Sequence, residues 1–211
     1  MHRIFIEFQL SRDCTEQDLS IILSLCEELL PPPKKAYITQ TKKVKEIGIN
    51  SFNDKEVFKA FSRNKYGIEY ECGTIQHGVL INASTSGGVF KFLLEQGDEY
   101  KIAKEMALKL TNNVDLKKLE VAPVNFRSFD RKYAKEKRTT DFPGLYWLQY
   151  YDAEEFKKQG GKAIFDNPYI DAQLIKDGIF IEVGKSPYDF QTPEGETLMI
   201  NANAAMPTPI K

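Results

Sequence analysis

One stretch constrains the fold more than any other: Gly144-Leu145-Tyr146-Trp147-Leu148-Gln149-Tyr150-Tyr151, which holds the chain's only tryptophan. Aromatic residues fill four of its eight positions, and such residues favour extended backbone over helix. Phe142-Pro143 comes just before, and proline ends what precedes it and starts an extended segment. The apolar run shows no alternation with polar residues. That predicts a central strand buried on both faces, with Trp147 as its largest packing element.

Other local signals build around this strand. Ile4, Ile6, Phe8 and Leu10 share one face of a first strand, Arg3 to Leu10. Thr15 can cap a helix with Asp18 three residues on, and Leu19, Ile22, Leu23, Cys26 and Leu30 follow helical spacing until Pro31-Pro32-Pro33. Ala36 to Thr39 reads as a short strand and residues 40–53 as polar loop. Asp54 can cap a short helix carrying Val57, Phe58 and Phe61. Strands are expected around Ile68–Thr74, Val79–Ala83 and Phe90–Leu94, with Ser84 to Gly88 as the turn between the last two. A helix follows from Asp98 to about Leu110. Pro123 interrupts Leu119 to Phe126, which predicts an edge strand or packed connection. Beyond the tryptophan strand, Asp152 caps a short helix closed by Gly160-Gly161. Tyr169–Ile175 and Ile179–Val183 form a hairpin around Asp177-Gly178. Leu198 to Met206 fits either helix or strand, and Pro207 to Lys211 reads as a mobile tail.

Strands enclosing a few helices imply an α+β fold, a mixed, largely antiparallel sheet with helices packed on it. At 211 residues the chain suits one domain, with sub-halves 1–126 and 141–206 joined by a basic connector, 127–140. Arg127 to Arg138 holds six basic and two acidic residues. The net charge of −1 gives no global field for nucleic acid, but residues 141–211 carry 6 basic against 11 acidic groups, or −5. Cys14, Cys26 and Cys72 form no CxxC and read as reduced thiols. Met1-His2-Arg3 is followed by no signal-peptide core, and no apolar run approaches the roughly 20 residues that span a bilayer. A cytoplasmic location without membrane contact is the expectation.

Chemistry-bearing motifs are sparse. His2 and His77 stand 75 residues apart with no metal-spaced cluster. No GxSxG, HExxH, P-loop or GxGxxG occurs, and Ser84-Thr85-Ser86-Gly87-Gly88 joins two strands instead of opening a helix. The expectation is therefore a protein with no catalytic residues, no metal and no cofactor. Asp152, Glu154 and Glu155 crowd a helix start, where capping and dipole complement explain them and an acidic binding surface is the other use.

The C-terminal part resembles a family of bacterial immunity proteins encoded beside polymorphic or type VI secretion toxins. The resemblance rests on Gly144-Leu145-Tyr146-Trp147 with Tyr150, the acidic helix start, Gly160-Gly161, Pro168, Asp177-Gly178-Ile179-Phe180-Ile181 and Pro187. It covers the last third to half of the chain. It implies a protein that binds and neutralises a cognate secreted toxin, often a nuclease in similar families, inside the producing cell. The acidic balance then places the partner on Asp152, Glu154, Glu155, Tyr188 and Asp189, with no nucleic acid as partner. A small enzyme with an unmarked site, or an adaptor using Arg127 to Arg138 on nucleic acid, are the competing readings.

Overall fold

The computed structural model describes residues 3–40, 43–56, 59, 67–72, 77–82, 89–95, 99–123, 144–189 and 192–208. Among these residues ten strands form one sheet. They are β1 (Arg3–Leu10), β2 (Pro33–Gln40), β3 (Lys43–Gly48), β4 (Gly67–Cys72), β5 (His77–Asn82), β6 (Val89–Glu95), β7 (Leu116–Pro123), β8 (Leu148–Tyr151), β9 (Asp171–Ile175) and β10 (Gly178–Glu182). Their order is β3-β2-β4-β5-β6-β1-β7-β8-β10-β9, and every pairing is antiparallel rather than mixed. The helices are α1 (Glu16–Leu29), α2 (Glu99–Asn113), α3 (Ala153–Lys158) and α4 (Pro193–Ala204), with a 3-10 turn at Gly161–Asp166. The fold is α+β.

β1 alternates as its sequence does. Ile4, Ile6, Phe8 and Leu10 are buried, and the register sets Ile6 and Phe8 beside Val121 and Leu119 of β7. The two long helices, α1 and α2, pack against each other, and α2 also touches β1, β6, β7 and β8. α1 opens on a full capping box: Thr15 Oγ1 accepts from the Asp18 N–H at 3.2 Å, and Asp18 Oδ2 accepts from the Thr15 N–H at 2.9 Å. Arg12 adds a two-pronged grip on the same carboxylate at 2.6 and 3.1 Å. Its other end stops at Leu30, before the prolines.

β8 and β10 are covered on both faces. Lys104 of α2 donates to Glu182 at 2.7 and 2.5 Å, which puts Phe180 and Glu182 on the α2 side. Ile179 and Ile181 alternate to the opposite side and are fully buried, and α3 packs against β10 and β8. All four residues of β8 are buried, as a strand with apolar layers on both sides requires. Trp147 is fully buried just before β8, meets the Tyr100 ring edge-on at 6.2 Å, and its carbonyl accepts from Val183 at 2.8 Å. The strand is shorter than the aromatic run, because Gly144 turns with φ 84° and residues 144–147 form a buried lead-in.

Several expectations change. Residues 43–48 are an edge strand, not loop: β3 is charged because it borders solvent. β7 lies in the sheet interior between β1 and β8, since Pro123 closes the strand instead of interrupting it. Residues 193–204 are helical, with Thr192 as N-cap and Pro193 in the first turn. Pro207 packs on Gly160, where an added Cβ would strike its ring, so this part of the tail is docked. The connector 127–140, the turn 84–88 and the side chains of Val57, Phe58 and Phe61 lie outside the described residues.

Candidate functional site

The antiparallel β8–β10 ladder has two ends, and these decide where the acidic groups go. At the end formed by Tyr151 and Gly178, Asp152 caps α3, its Oδ1 accepting from the Glu155 N–H at 2.8 Å. The β9–β10 turn brings Asp177 to the same end, and Asp115 stands at the start of β7. These three carboxylates, after burial itself, raise the Tyr150 phenol above its ordinary value. Gly178 is required here by space rather than by φ. A Cβ on it would fall onto the Tyr151 carbonyl and lie 2.5 Å from the Tyr150 hydroxyl. The turn's one positive φ belongs to Lys176, at 54°.

The acidic residues expected to meet a partner are not gathered in one place. Asp152, Glu154 and Glu155 sit at the Tyr151 end. Tyr188 and Asp189 follow β10 past Glu182, which pairs with Leu148 at the opposite end. Most of these groups also carry local structure. Glu154 pairs with Lys158 at 2.6 Å, which lowers its carboxyl's pKa, and Glu155 accepts from Gln159 at 3.0 Å. Asp189 Oδ2 accepts from the N–H groups of Lys185 at 3.0 Å and Ser186 at 2.9 Å, closing a turn. Tyr188 is half-buried against the core, edge-on to Tyr100 at 6.2 Å.

Sequence reading missed other groups. Asp166, Asp171, Asp177 and Glu194 are exposed and have no hydrogen-bond or ion-pair partner among the described residues. Around the first three lie Phe165, Tyr169 and Leu174, which are 43%, 40% and 59% exposed. The available signal was the spacing of charge and large apolar side chains along 165–177, which hairpin formation masks because alternation is expected of any strand.

Among the described residues no group of three or more His, Cys, Asp or Glu is placed to hold a metal. Burial, with the Asp18 carboxylate nearby, pushes the Cys14 thiol up to about 11, so it is not a thiolate at neutral pH. Cys26 is buried. An open groove of about 370 Å³ between α1 and α2 is lined by Ser20, Ile21, Ser24, Leu25, Glu28, Lys109 and Asn113. Its lysine is held by Glu28 and Glu105, and the groove pairs no nucleophile with a base. No described helix is long and apolar enough to cross a membrane.

No protein-family model matches the chain, and no curated protein does. Among solved structures the chain is similar to a Pseudomonas aeruginosa T6SS protein, with a TM-score of 0.58 and 10% identity over 97% of this chain and 72% of that one. At that identity the likeness is one of fold.

Proposed function

We propose that the protein is an immunity protein that binds and neutralises a cognate secreted toxin in the cytoplasm of the cell that makes it, acting by affinity and not by catalysis. The observation that carries this reading is the fold shared with a T6SS protein along nearly the whole chain. The resemblance of residues 142–190 to immunity proteins, which arises from sequence independently, agrees with it. Such a protein needs a standard-sized interface and charge opposite to its target. The partnerless carboxylates of the C-terminal region, with apolar side chains between them, supply both kinds of contact to a basic toxin domain such as a nuclease. An effective inhibitor binds at nanomolar affinity or tighter, on the order of −12 kcal/mol.

The test is toxicity rescue. A toxic domain encoded by an adjacent reading frame is induced with and without this protein, and the purified pair is titrated. Rescue together with a stoichiometric complex supports the reading. Growth arrest that this protein leaves untouched overturns it, as does turnover by the purified protein in a hydrolase screen.

A further inference from the structure

Among the described residues β3 and β9 are the outer strands of the sheet with no further strand beside them, and they are guarded differently. β3 carries Lys43, Lys45 and Glu46, and ion pairs link Lys35 to Glu46 at 2.7 Å and Lys45 to Glu56 at 3.5 Å. Lysines along an edge discourage a further strand from adding. β9 reads Asp171-Ala172-Gln173-Leu174-Ile175, with no lysine, arginine or proline. Its register with β10 runs through five residues without a bulge, so the outer row of main-chain groups is regular.

The side chains at this edge specify a partner. Leu174, 59% exposed, lies on the same face as half-buried Ala172, an apolar anchor point beside the rim. Asp171 stands at one end of the strand and Asp177 at the other, both without an ion-pair partner among the described residues. Lys176, the cation next to them, donates instead to the Val114 carbonyl at 3.0 Å, which ties it to the corner between α2 and β7. The edge is therefore regular, partly apolar and negatively charged.

We propose that β9 is the docking strand, and that an extended segment of the toxin domain bearing Lys or Arg adds to it as an eleventh strand. Main-chain hydrogen bonds supply affinity, Leu174 and Ala172 seat an apolar side chain, and Asp171 and Asp177 pair with cations at the two ends. A second copy is the poorer occupant, since it would set two edges of the same acidic sign against each other. The identity of the partner rests on the immunity reading. The choice of β9 rests on the contrast between the edges.

The experiment uses this protein and a toxin domain from which it rescues cells, encoded by an adjacent reading frame. Amide hydrogen exchange is followed with and without toxin, and affinity is measured for Leu174→Lys, Gln173→Pro and Asp171→Lys. Exchange within 171–175 should slow about tenfold or more on binding. Leu174→Lys should weaken binding about tenfold with an unchanged melting midpoint, and Gln173→Pro about a hundredfold. If Gln173→Pro does not fold, Leu174→Lys and the exchange map decide. Asp171→Lys should slow association at low salt. Protection confined to other segments, or wild-type affinity in Leu174→Lys, overturns the docking strand while leaving the immunity reading intact. Doubling of the free protein's mass in light scattering, abolished by Leu174→Lys, assigns the edge to a second copy and overturns it too. Failure of the wild-type protein to bind or rescue removes the immunity reading and this inference together.

Discussion

The strands near β1 and those around β10 belong to one sheet but are built on different plans. β1 alternates: the face toward the long helices is fully buried, while Glu7 and Gln9 on the other face stay half-buried. Only Phe5 on that face is deeply covered, and Tyr146 meets it edge-on at 6.3 Å. β10 does not alternate: Ile179, Phe180 and Ile181 are buried in succession, so both of its faces are covered. A strand covered once writes a period of two into its sequence, and one covered twice writes an apolar run. The difference also places the recognition surface. With both faces of β10 and β8 filled, what the C-terminal region offers a partner is its ends and its outer edge.

The largest test of this contrast is Trp147→Ala. Deleting the biggest side chain of the doubly covered region should cost about 3–5 kcal/mol in a denaturant titration, a large share of ordinary domain stability. A variant that melts like wild type but no longer binds toxin would make Trp147 an interface anchor and dissolve the contrast.

A matched pair sharpens it. Ile181 and Gln9 both lie on the sheet face opposite the long helices. Ile181→Ala should cost about 2–4 kcal/mol, whereas Gln9→Ala should stay within about 0.5 kcal/mol. Equal losses would mean that the second layer extends over β1 as well.

The two acidic helix caps give the next comparison. Burial alone would raise the Asp18 carboxyl, but hydrogen bonds from Arg12 and Thr15 together with the Arg12 charge outweigh it and hold the group below its ordinary value. A depressed folded pKa stabilises above the unfolded pKa, near 4, and that contribution is lost as pH falls through the folded value. Asp18→Asn should therefore cost about 2 kcal/mol at pH 7. The gap to wild type should close below pH 4, and a gap independent of pH would show that the carboxylate charge is not what holds the α1 entry.

Asp152→Ala should cost about 1 kcal/mol as a lost cap. Reversing Glu154 to lysine should leave the melting midpoint in place, because its partner Lys158 is exposed and tied only along the helix. The same reversal should slow toxin association at low salt if the Tyr151 end of the ladder faces the partner. An unchanged rate would move recognition to the β9 edge alone.

Much of the local structure was legible in the chain. The Thr15–Asp18 box, the face of β1, the buried aromatic run and the β9–β10 hairpin all depend on residues a few positions apart, so their signals survive in the sequence. The candidate site was less legible. Asp152, Glu154 and Glu155 share one end of the β8–β10 ladder, but Tyr188 and Asp189 belong to the other, while Asp115 and Asp177 reach Tyr150 from distant elements. β3 was hidden because an edge strand facing water looks like loop, and the interior place of β7 because a closing proline reads like an interrupting one.

The amino-acid sequence by itself determined where α1 and α3 start and stop, and that β1 faces one apolar layer and β8 two, since those depend on capping chemistry and apolar periodicity within one element. Only the tertiary structure decided the order of the ten strands, which edge is left open, and that Gly178 is there to clear Tyr150 and Tyr151. The physical reason is that strand order and close approach are set by pairings between residues far apart in the chain. A residue's own neighbours in sequence carry no record of who will lie across the ladder from it.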